Sequence, residues 1–320
     1  MNLLISTSSD PYWNLAAEEI LLKNNLENYL FLYVNNPCVV VGKHQNNLKE
    51  INSSYIYNSN TLVARRLSGG GAVYHDKGNL NFSYIQSVGP GENLSYKSLT
   101  QSILSFLMDR MPEIELSERN DLMLHGNKIS GSAMHIFKSR VLAHGTLLVN
   151  CNLANLSASL KGHPQRFVDK SIESRRATVM NLSQQYAELT PDRLISLFSD
   201  HLLKSDSTIT LNTIPIELND PILELANAKY RTTAWIYGYS PKYTYINKVQ
   251  LGLKNIPYRL EIEKGLISSV LLEEDSEMNT DIKLIFNRLI GLSHNIYSLN
   301  KSLIYRGNTP FERQIFPTLT

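Results

Sequence analysis

Two β-rich runs, YLFLYV (Tyr29–Val34) and CVVVG (Cys38–Gly42), stand three residues apart, divided by Asn35-Asn36-Pro37. They read as two strands joined by a turn. The elements around them keep the same irregular order. Asp10 to Leu26 reads as a helix, with Asp10 as N-cap, Pro11 in the first turn and an apolar stripe of Leu15, Ala16, Ile20 and Leu22. Thr61–Arg66 is a strand running into glycines, Asn79–Gln86 alternates polar and apolar as a half-buried strand does, and Tyr96–Met111 is helical. Short β runs then continue to Asn150. The regular β-α-β alternation of a doubly wound sheet is absent. Its absence favours an α+β fold with mixed, mainly antiparallel sheets and flanking helices.

Beyond Asn150 the pattern loosens. Leu153–Asn181 carries Gly162, Pro164 and a basic series and predicts a short helix followed by an irregular loop. Pro191–Lys204 is helical. Asn212–Pro221 holds two prolines among polar residues, so a large unit of residues 1–215 and a small one of 216–320 are expected. The tail predicts a helix (Pro221–Tyr230), three strands (Lys242–Lys254, Tyr258–Lys264, Leu266–Leu272) and a helix (Asn279–Leu289).

A formal charge of +2 over 320 residues gives no general basic field, so nucleic acid is not an expected partner. No window approaches the roughly 20 apolar residues of a membrane span, and the start has neither a basic n-region nor an Arg-rich character. A cytoplasmic monomer is expected, or an organellar matrix protein if a presequence has been removed. The two cysteines, Cys38 and Cys151, sit in apolar or β-like runs and read as small buried thiols.

The densest feature is Arg65-Arg66-Leu67-Ser68-Gly69-Gly70-Gly71-Ala72-Val73-Tyr74-His75-Asp76. Three glycines after a strand permit positive φ and close approach of a ligand to the backbone, and successive exposed N–H groups favour an anion. Arg65 and Arg66 add forked donors for phosphate or carboxylate. The run is neither a Walker A loop nor GxGxxG. A second feature, GNKISGSA (Gly126–Ala133), puts Lys128 after a Gly126-Asn127 turn and beside the small residues Ser130, Gly131, Ser132 and Ala133. Arg119-Asn120-Asp121 precedes it, and His144-Gly145-Thr146 opens a later strand. His75 and Asp76 read as a pair buttressing the loop.

Together these pieces resemble the lipoate–protein ligase and lipoyltransferase family of the biotin/lipoate ligase superfamily. RRLSGGGAVYHDKGNLNFS is similar to its glycine-rich motif, and RND, GNKISGSA and HGTLLVN follow in its order and spacing. DPYWNLAAEE and VVVGKHQN are similar to its opening segments, SIESRRATVMNL to its adenylate-covering stretch, and TTAWIYGYSPKYTY to the start of its small accessory domain. His135 departs from the family pattern, standing where some members carry Arg or Lys.

The resemblance implies a ligase-like α+β catalytic domain with a small C-terminal accessory domain. It implies two half-reactions: lipoate or octanoate and ATP give acyl-AMP, and the acyl group passes to a lysine of apo lipoyl domains. Those carriers are the E2 subunits of 2-oxoacid dehydrogenases and the glycine cleavage H protein. ATP and Mg²⁺ are implied, and no tightly bound prosthetic group. Lys128 is implied as the central lysine. Arg66, Gly69, Gly70, Gly71, Ala72, Val73, Tyr74, Ala133 and Asp121 are implied for ATP and acyl-AMP, and His75, His144 and Gly145 for the lipoate pocket. Arg175 and Arg176 fall in the covering loop, and Asp121 either holds Mg²⁺ or orients Lys128. A transferase working from preformed lipoyl-AMP or a lipoylated carrier, and a non-catalytic lipoyl-domain binder, are the alternatives.

Overall fold

The computed structural model describes residues 1–24, 27–89, 95–118, 120–175, 177–251, 254–272, 280–299 and 318–319. In chain order its strands are β1 (Asn2–Ile5), β2 (Tyr29–Tyr33), β3 (Cys38–Val41), β4 (Leu62–Arg65), β5 (Val73–His75), β6 (Asn79–Ser87), β7 (Ile114–Leu116), β8 (Leu122–Leu124), β9 (Asn127–Lys128), β10 (Ser132–Phe137), β11 (Arg140–Leu148), β12 (Phe167–Val168), β13 (Thr210–Asn212), β14 (Tyr243–Leu251), β15 (Lys254–Glu263) and β16 (Leu266–Leu272). Six of them form one sheet in the order β10-β11-β6-β2-β1-β13. Its β10–β11, β11–β6 and β6–β2 pairs are antiparallel, while β2–β1 and β1–β13 are parallel. A three-stranded sheet, β4-β3-β5, and a four-stranded one, β12-β14-β15-β16, lie beyond it. The architecture is the expected α+β fold.

The two opening runs belong to different sheets: β2 lies in the six-stranded sheet and β3 in the three-stranded one. Asn35-Asn36-Pro37 is therefore a corner between layers and not a hairpin turn. Its reason is visible in the burial of β3. Val39 and Val41 pack with Tyr74, Tyr243, Tyr245 and Tyr258, while Cys38 and Val40 pack with Phe31, Tyr33 and Leu15. A strand buried on both faces reads as an unbroken apolar run, as CVVV does.

The six-stranded sheet is likewise covered on both faces. Leu30, Leu32, Leu80, Phe82, Val141 and Ala143 face Ile103, Leu104, Phe106, Leu194 and Phe198 of the helices Gln101–Arg110 and Pro191–Ser205. The other face receives α1 (Pro11–Asn24) through Leu15, Ala16, Ala17, Ile20 and Leu22. Asp10 caps α1 as expected, its carboxylate accepting from Tyr12 N at 3.0 Å. The expected end of that helix at Leu26 lies outside the described residues. Thr100 divides the expected helix Tyr96–Met111 into Tyr96–Leu99 and Gln101–Arg110, its hydroxyl donating to the Tyr96 carbonyl at 2.7 Å.

Past Asn212, residues 219–230 fold back onto α1, where Glu19 accepts from Lys229 Nζ and Tyr230 OH, both at 2.7 Å. Strand β12, from the loop after Asn150, extends the sheet of β14–β16. Cys38 and Cys151 are free and buried, and burial pushes both thiols up, which makes them inert. No helix among the described residues is long and apolar enough to cross a membrane.

His294 is fully buried between Tyr243 OH at 2.7 Å and the Leu319 carbonyl at 2.6 Å. Burial lowers its pKa to about 4, against the Leu319 bond, which raises it. The unfolded chain takes up this proton near pH 6.5 and the folded chain does not. Stability therefore falls as pH drops through this window. His294→Gln is expected to remove about 1.5 kcal/mol from the loss between pH 6.5 and pH 5, read as urea midpoints at both pH values. An unchanged pH slope in the variant would contradict this assignment.

Candidate active site

A cavity of about 440 Å³ lies between the six-stranded and three-stranded sheets. Tyr33, Asn81, Ala133, His144 and Thr146 line it from the first sheet. Val40, Val73, His75 and the glycine turn line it from the second, Leu15 from α1, and Ile172 to Arg175 and Ala177 from the covering segment. The size suits a small organic ligand.

Backbone approach and arginine donors shape the glycine turn. Gly70 adopts φ +86°, and its carbonyl lies so close to Gly42 that a Cβ there would come within 2.2 Å of it. Arg66 is 6% exposed, and its donors hold the turn. Nε donates to Ser68 Oγ at 2.9 Å, Nη1 to the Val40 carbonyl at 3.1 Å, and Nη2 to those of Gly69 and Gly71 at 2.5 and 2.8 Å. Four of five N–H groups are thus committed to the loop. Arg65 is fully buried and donates to the carbonyls of Gly42, Lys43, Gln45, Trp235 and Ile236 and to Ser240 Oγ. Burial brings both guanidinium pKa values down to about 10, still charged at neutral pH. Arg65 therefore serves backbone acceptors and not an anion, while Arg66 both supports the turn and keeps one N–H at the cavity. Arg65 does not reach the cavity, and Arg66 lines it while holding the turn.

Gly42→Ala is expected to displace the Gly70 carbonyl and raise the KM for ATP by about tenfold or more, since backbone cannot move aside as a side-chain tip can. Gly69→Ala is the control: its backbone is outside the left-handed region and no atom lies within 4 Å of the added Cβ, so ATP kinetics stay unchanged. Steady-state kinetics on both variants decide it, and equal KM values would refute the close-approach reading.

Lys128 sits on β9, the return strand of the β8–β9 hairpin. The turn is His125-Gly126, both at positive φ (49° and 73°), one residue before the expected Gly126-Asn127. Two positive-φ central residues suit a tight hairpin whose twist matches its strands. On its other side Lys128 N donates to Thr178 O, and Met180 N to Lys128 O. The backbone of Lys128 is thus held from both sides. Its Nζ meets Asp121 at 2.8 Å, with both side chains about a quarter exposed at the cavity wall. Among the described residues no group of three His, Cys, Asp or Glu side chains could hold a metal ion.

The covering segment docks onto the glycine turn through Ser174. Its Oγ accepts from Ala72 N at 2.8 Å and from Gln45 Nε2 at 3.0 Å. Lys49 ties the segment down from below, pairing with Asp169 at 3.1 Å and Glu173 at 2.7 Å. Burial alone would raise the Asp169 carboxyl, but bonds from Asn46, Ser171 and Lys49 outweigh it and hold it low. Arg175 lines the cavity; Arg176, like Arg119, lies outside the described residues.

Two buried relays steer the histidines. His144 Nε2 meets Ser68 Oγ at 2.6 Å and Nδ1 meets Glu18 at 3.1 Å. Glu18 also accepts from Tyr33 OH at 3.0 Å and from Ser83 Oγ. Burial would raise this carboxyl, yet His144 and these hydrogen bonds bring it below its ordinary value. In the second relay Asn14 Nδ2 donates to Asn35 Oδ1 at 2.8 Å, and Asn35 Nδ2 meets His75 Nδ1 at 3.0 Å.

The cavity thus gathers Arg66, Gly70, Gly71, Ala72, Val73, His75, Asp121, Lys128, Ala133, His144, Gly145 and Arg175. Gly69 and Tyr74 are not on its wall. Tyr74 points to the opposite side of β5 and packs with Val39 and Val41, because side chains alternate along a strand. Gly145 contributes backbone only: a Cβ there would strike Phe82 and Tyr96 on the far face of the sheet. His75 and Asp76 do not pair, since Asp76 instead accepts from the backbone N–H groups of Gly78 and Asn152. Sequence reasoning missed Glu18, Ser68, Asn35, Gln45 and Ser174. Glu18 carried a signal, because a charge at the fourth position after Asn14 and third after Leu15 falls on the apolar stripe of α1.

A cavity of about 440 Å³ that sets a lysine paired with an aspartate beside a glycine turn suits an enzyme acting on a small anionic ligand. A family model described as the Lipoyl protein ligase A/B catalytic domain matches residues 10–203, and the chain belongs to that family. It is 35% identical to lipoate–protein ligase 1 of Staphylococcus aureus over 301 residues, covering 92% of this chain and 90% of that one. The lipoate–protein ligase LplJ of Bacillus subtilis is 34% identical, with 88% and 87% covered. Among solved structures, that of P. falciparum LipL1 in complex with lipoate superposes with a TM-score of 0.63 at 25% identity, covering 99% of this chain and 98% of that one.

Proposed function

We propose that this enzyme activates lipoate, or octanoate, with ATP and transfers the acyl group to a lysine of apo lipoyl domains. The carriers are the E2 subunits of 2-oxoacid dehydrogenases and the glycine cleavage H protein. The observation that carries the reading is the Lys128–Asp121 pair, 2.8 Å apart on the wall of a cavity shared with the glycine turn. In the first half-reaction a carboxylate oxygen attacks the α-phosphorus and pyrophosphate leaves. Lys128 bridges carboxylate and α-phosphate, aligns them and offsets charge that grows in the transition state. In the second, a carrier lysine amine attacks the acyl carbonyl, loses its proton and expels AMP. The acyl group rides on AMP throughout, so no cysteine nucleophile is required.

Gly70 to Val73 supply the close-approach surface for the nucleotide, and the segment around Ser174 and Arg175 covers the adenylate against water. Asp121, through the carboxylate oxygen not paired with Lys128, would be the residue to hold a magnesium ion accompanying ATP, which would neutralise phosphate charge. We assign residues 1–215 to the catalytic unit and 216–320 to the accessory one, a division supported by the family match ending at residue 203.

The test is the mass of an apo lipoyl domain incubated with the enzyme, lipoate and Mg-ATP, beside a tube given lipoyl-AMP alone. Mass gain in both supports the complete ligase. Gain with lipoyl-AMP alone makes it a transferase, and gain in neither removes the proposal.

A further inference from the structure

Away from the main cavity, a smaller one of about 120 Å³ lies between residues 51–54, which follow the helix Asn47–Glu50, and the helical turn Pro164–Arg166. Its volume is about the share of four waters, which a four-oxygen anion can replace. Asn52, Ser53, Ser54, His163 and Arg166 give it a polar wall, and no carboxylate lines it. A wall that carries a guanidinium and no acid favours an anion. Arg166 Nη1 donates to Tyr245 OH at 3.3 Å, which anchors the guanidinium beside the cavity. Burial and the nearby charges of Arg166 and Lys161 lower the imidazole of the exposed His163 below its ordinary value, so the local field is positive.

Ser53 points to a ligand independently of that charge. It is 6% exposed and lines this cavity, and its hydroxyl has no hydrogen-bond partner among the described residues. A nearly buried hydroxyl is costly unless something meets it. Asn52 is otherwise engaged, its side chain accepting from Tyr55 N at 3.1 Å.

The two walls belong to the mounting of the covering segment. The first follows the helix whose Lys49 pairs with Asp169 and Glu173 and whose Glu50 accepts from Ser174 N. The second leads through β12 directly into Asp169. A Cβ on Gly162 would come within 2.2 Å of the Lys49 carbonyl, so the walls meet backbone to backbone and the cavity between them is preformed. A ligand bonded to both walls ties the root of the covering segment to its dock.

We propose that this cavity binds a free tetrahedral oxyanion of the phosphate class through Arg166, Ser53 and His163, and that its occupancy braces the covering segment.

The experiment titrates the enzyme with inorganic phosphate, against sodium chloride at equal ionic strength, and follows the His163 imidazole resonance, identified by its loss in His163→Gln. Wild type is expected to give a saturable shift in the millimolar range. Ser53→Ala is expected to weaken phosphate binding by about threefold or more, with stability unchanged because the lost hydroxyl has no partner within the protein. Arg166→Gln is expected to weaken it by about tenfold or more. Phosphate is expected to slow amide hydrogen exchange of residues 169–174 by about twofold or more in wild type, and not in Arg166→Gln. No saturable shift, or the same shift with chloride, overturns the proposal. Equal phosphate affinity in wild type and Ser53→Ala overturns it too. Phosphate held only in the main cavity would slow exchange and leave the His163 resonance unmoved, and that result also overturns it. A saturable shift with unchanged exchange overturns the bracing. None of these outcomes depends on ligase activity.

Discussion

Lys128→Met is expected to lower kcat/KM for acyl-AMP formation by about a thousandfold or more, with the fold retained. Methionine keeps the length and most of the volume of the side chain and removes its charge. In the proposed reaction, what is lost is the cation assigned to both reacting groups, in the step where negative charge moves onto pyrophosphate. Asp121 loses its partner but is about a quarter exposed, so water takes over and stability changes by about 1 kcal/mol or less. Transfer from synthetic lipoyl-AMP is expected to fall less than activation, because there the adenylate is already formed. Pyrophosphate release and carrier mass measured on the same preparations separate the two. Normal adenylate formation in a folded Lys128→Met enzyme would remove the central assignment.

Arg65→Leu is expected to cost about 3–5 kcal/mol of stability. The side chain is fully buried and serves five backbone carbonyls and one hydroxyl from two separate stretches, 42–45 and 235–240. Leucine leaves those acceptors facing each other in a space that excludes water. Arg65→Lys is expected to recover little, because an ammonium has three donors and no planar fork. Trp235 Nε1 also donates to the Arg65 carbonyl at 2.8 Å, so loosening one side of the contact loosens the other. Urea denaturation of the three proteins measures the difference. A loss below about 1 kcal/mol in Arg65→Leu would show that these acceptors find water, against their observed burial.

Much of the molecule was legible from residue order. The apolar stripe of α1 and the CVVV strand appear as expected elements, whereas Asn79–Gln86, whose alternation predicts a half-buried strand, is a strand buried on both faces, with Asn79, Asn81 and Ser83 buried as well as its apolar residues. GGG after a strand marked a positive φ, and Gly70 adopts it at +86°, with its carbonyl packed on Gly42. Three things stayed hidden for one reason. The partners of β2 and β3, the service of Arg65 and Arg66 to carbonyls, and the relays from Glu18 to His144 and from Asn14 to His75 all join residues far apart in the chain. Local pattern reports which face of an element is apolar; it does not report which element that face meets.

Sequence by itself therefore determined the element types, the α+β class and the clustering of chemistry around Gly69–Gly71 and Lys128. Those follow from short-range sterics, side-chain periodicity and the few residues that tolerate positive φ. Only tertiary structure decided that Arg65 and Arg66 donate to backbone carbonyls, that Asp121 pairs with Lys128, that Tyr74 faces away, and that His75 and Asp76 take separate partners. Each of those depends on which polar groups burial brings within hydrogen-bond reach, and a buried donor or acceptor takes its role from the partner the fold supplies.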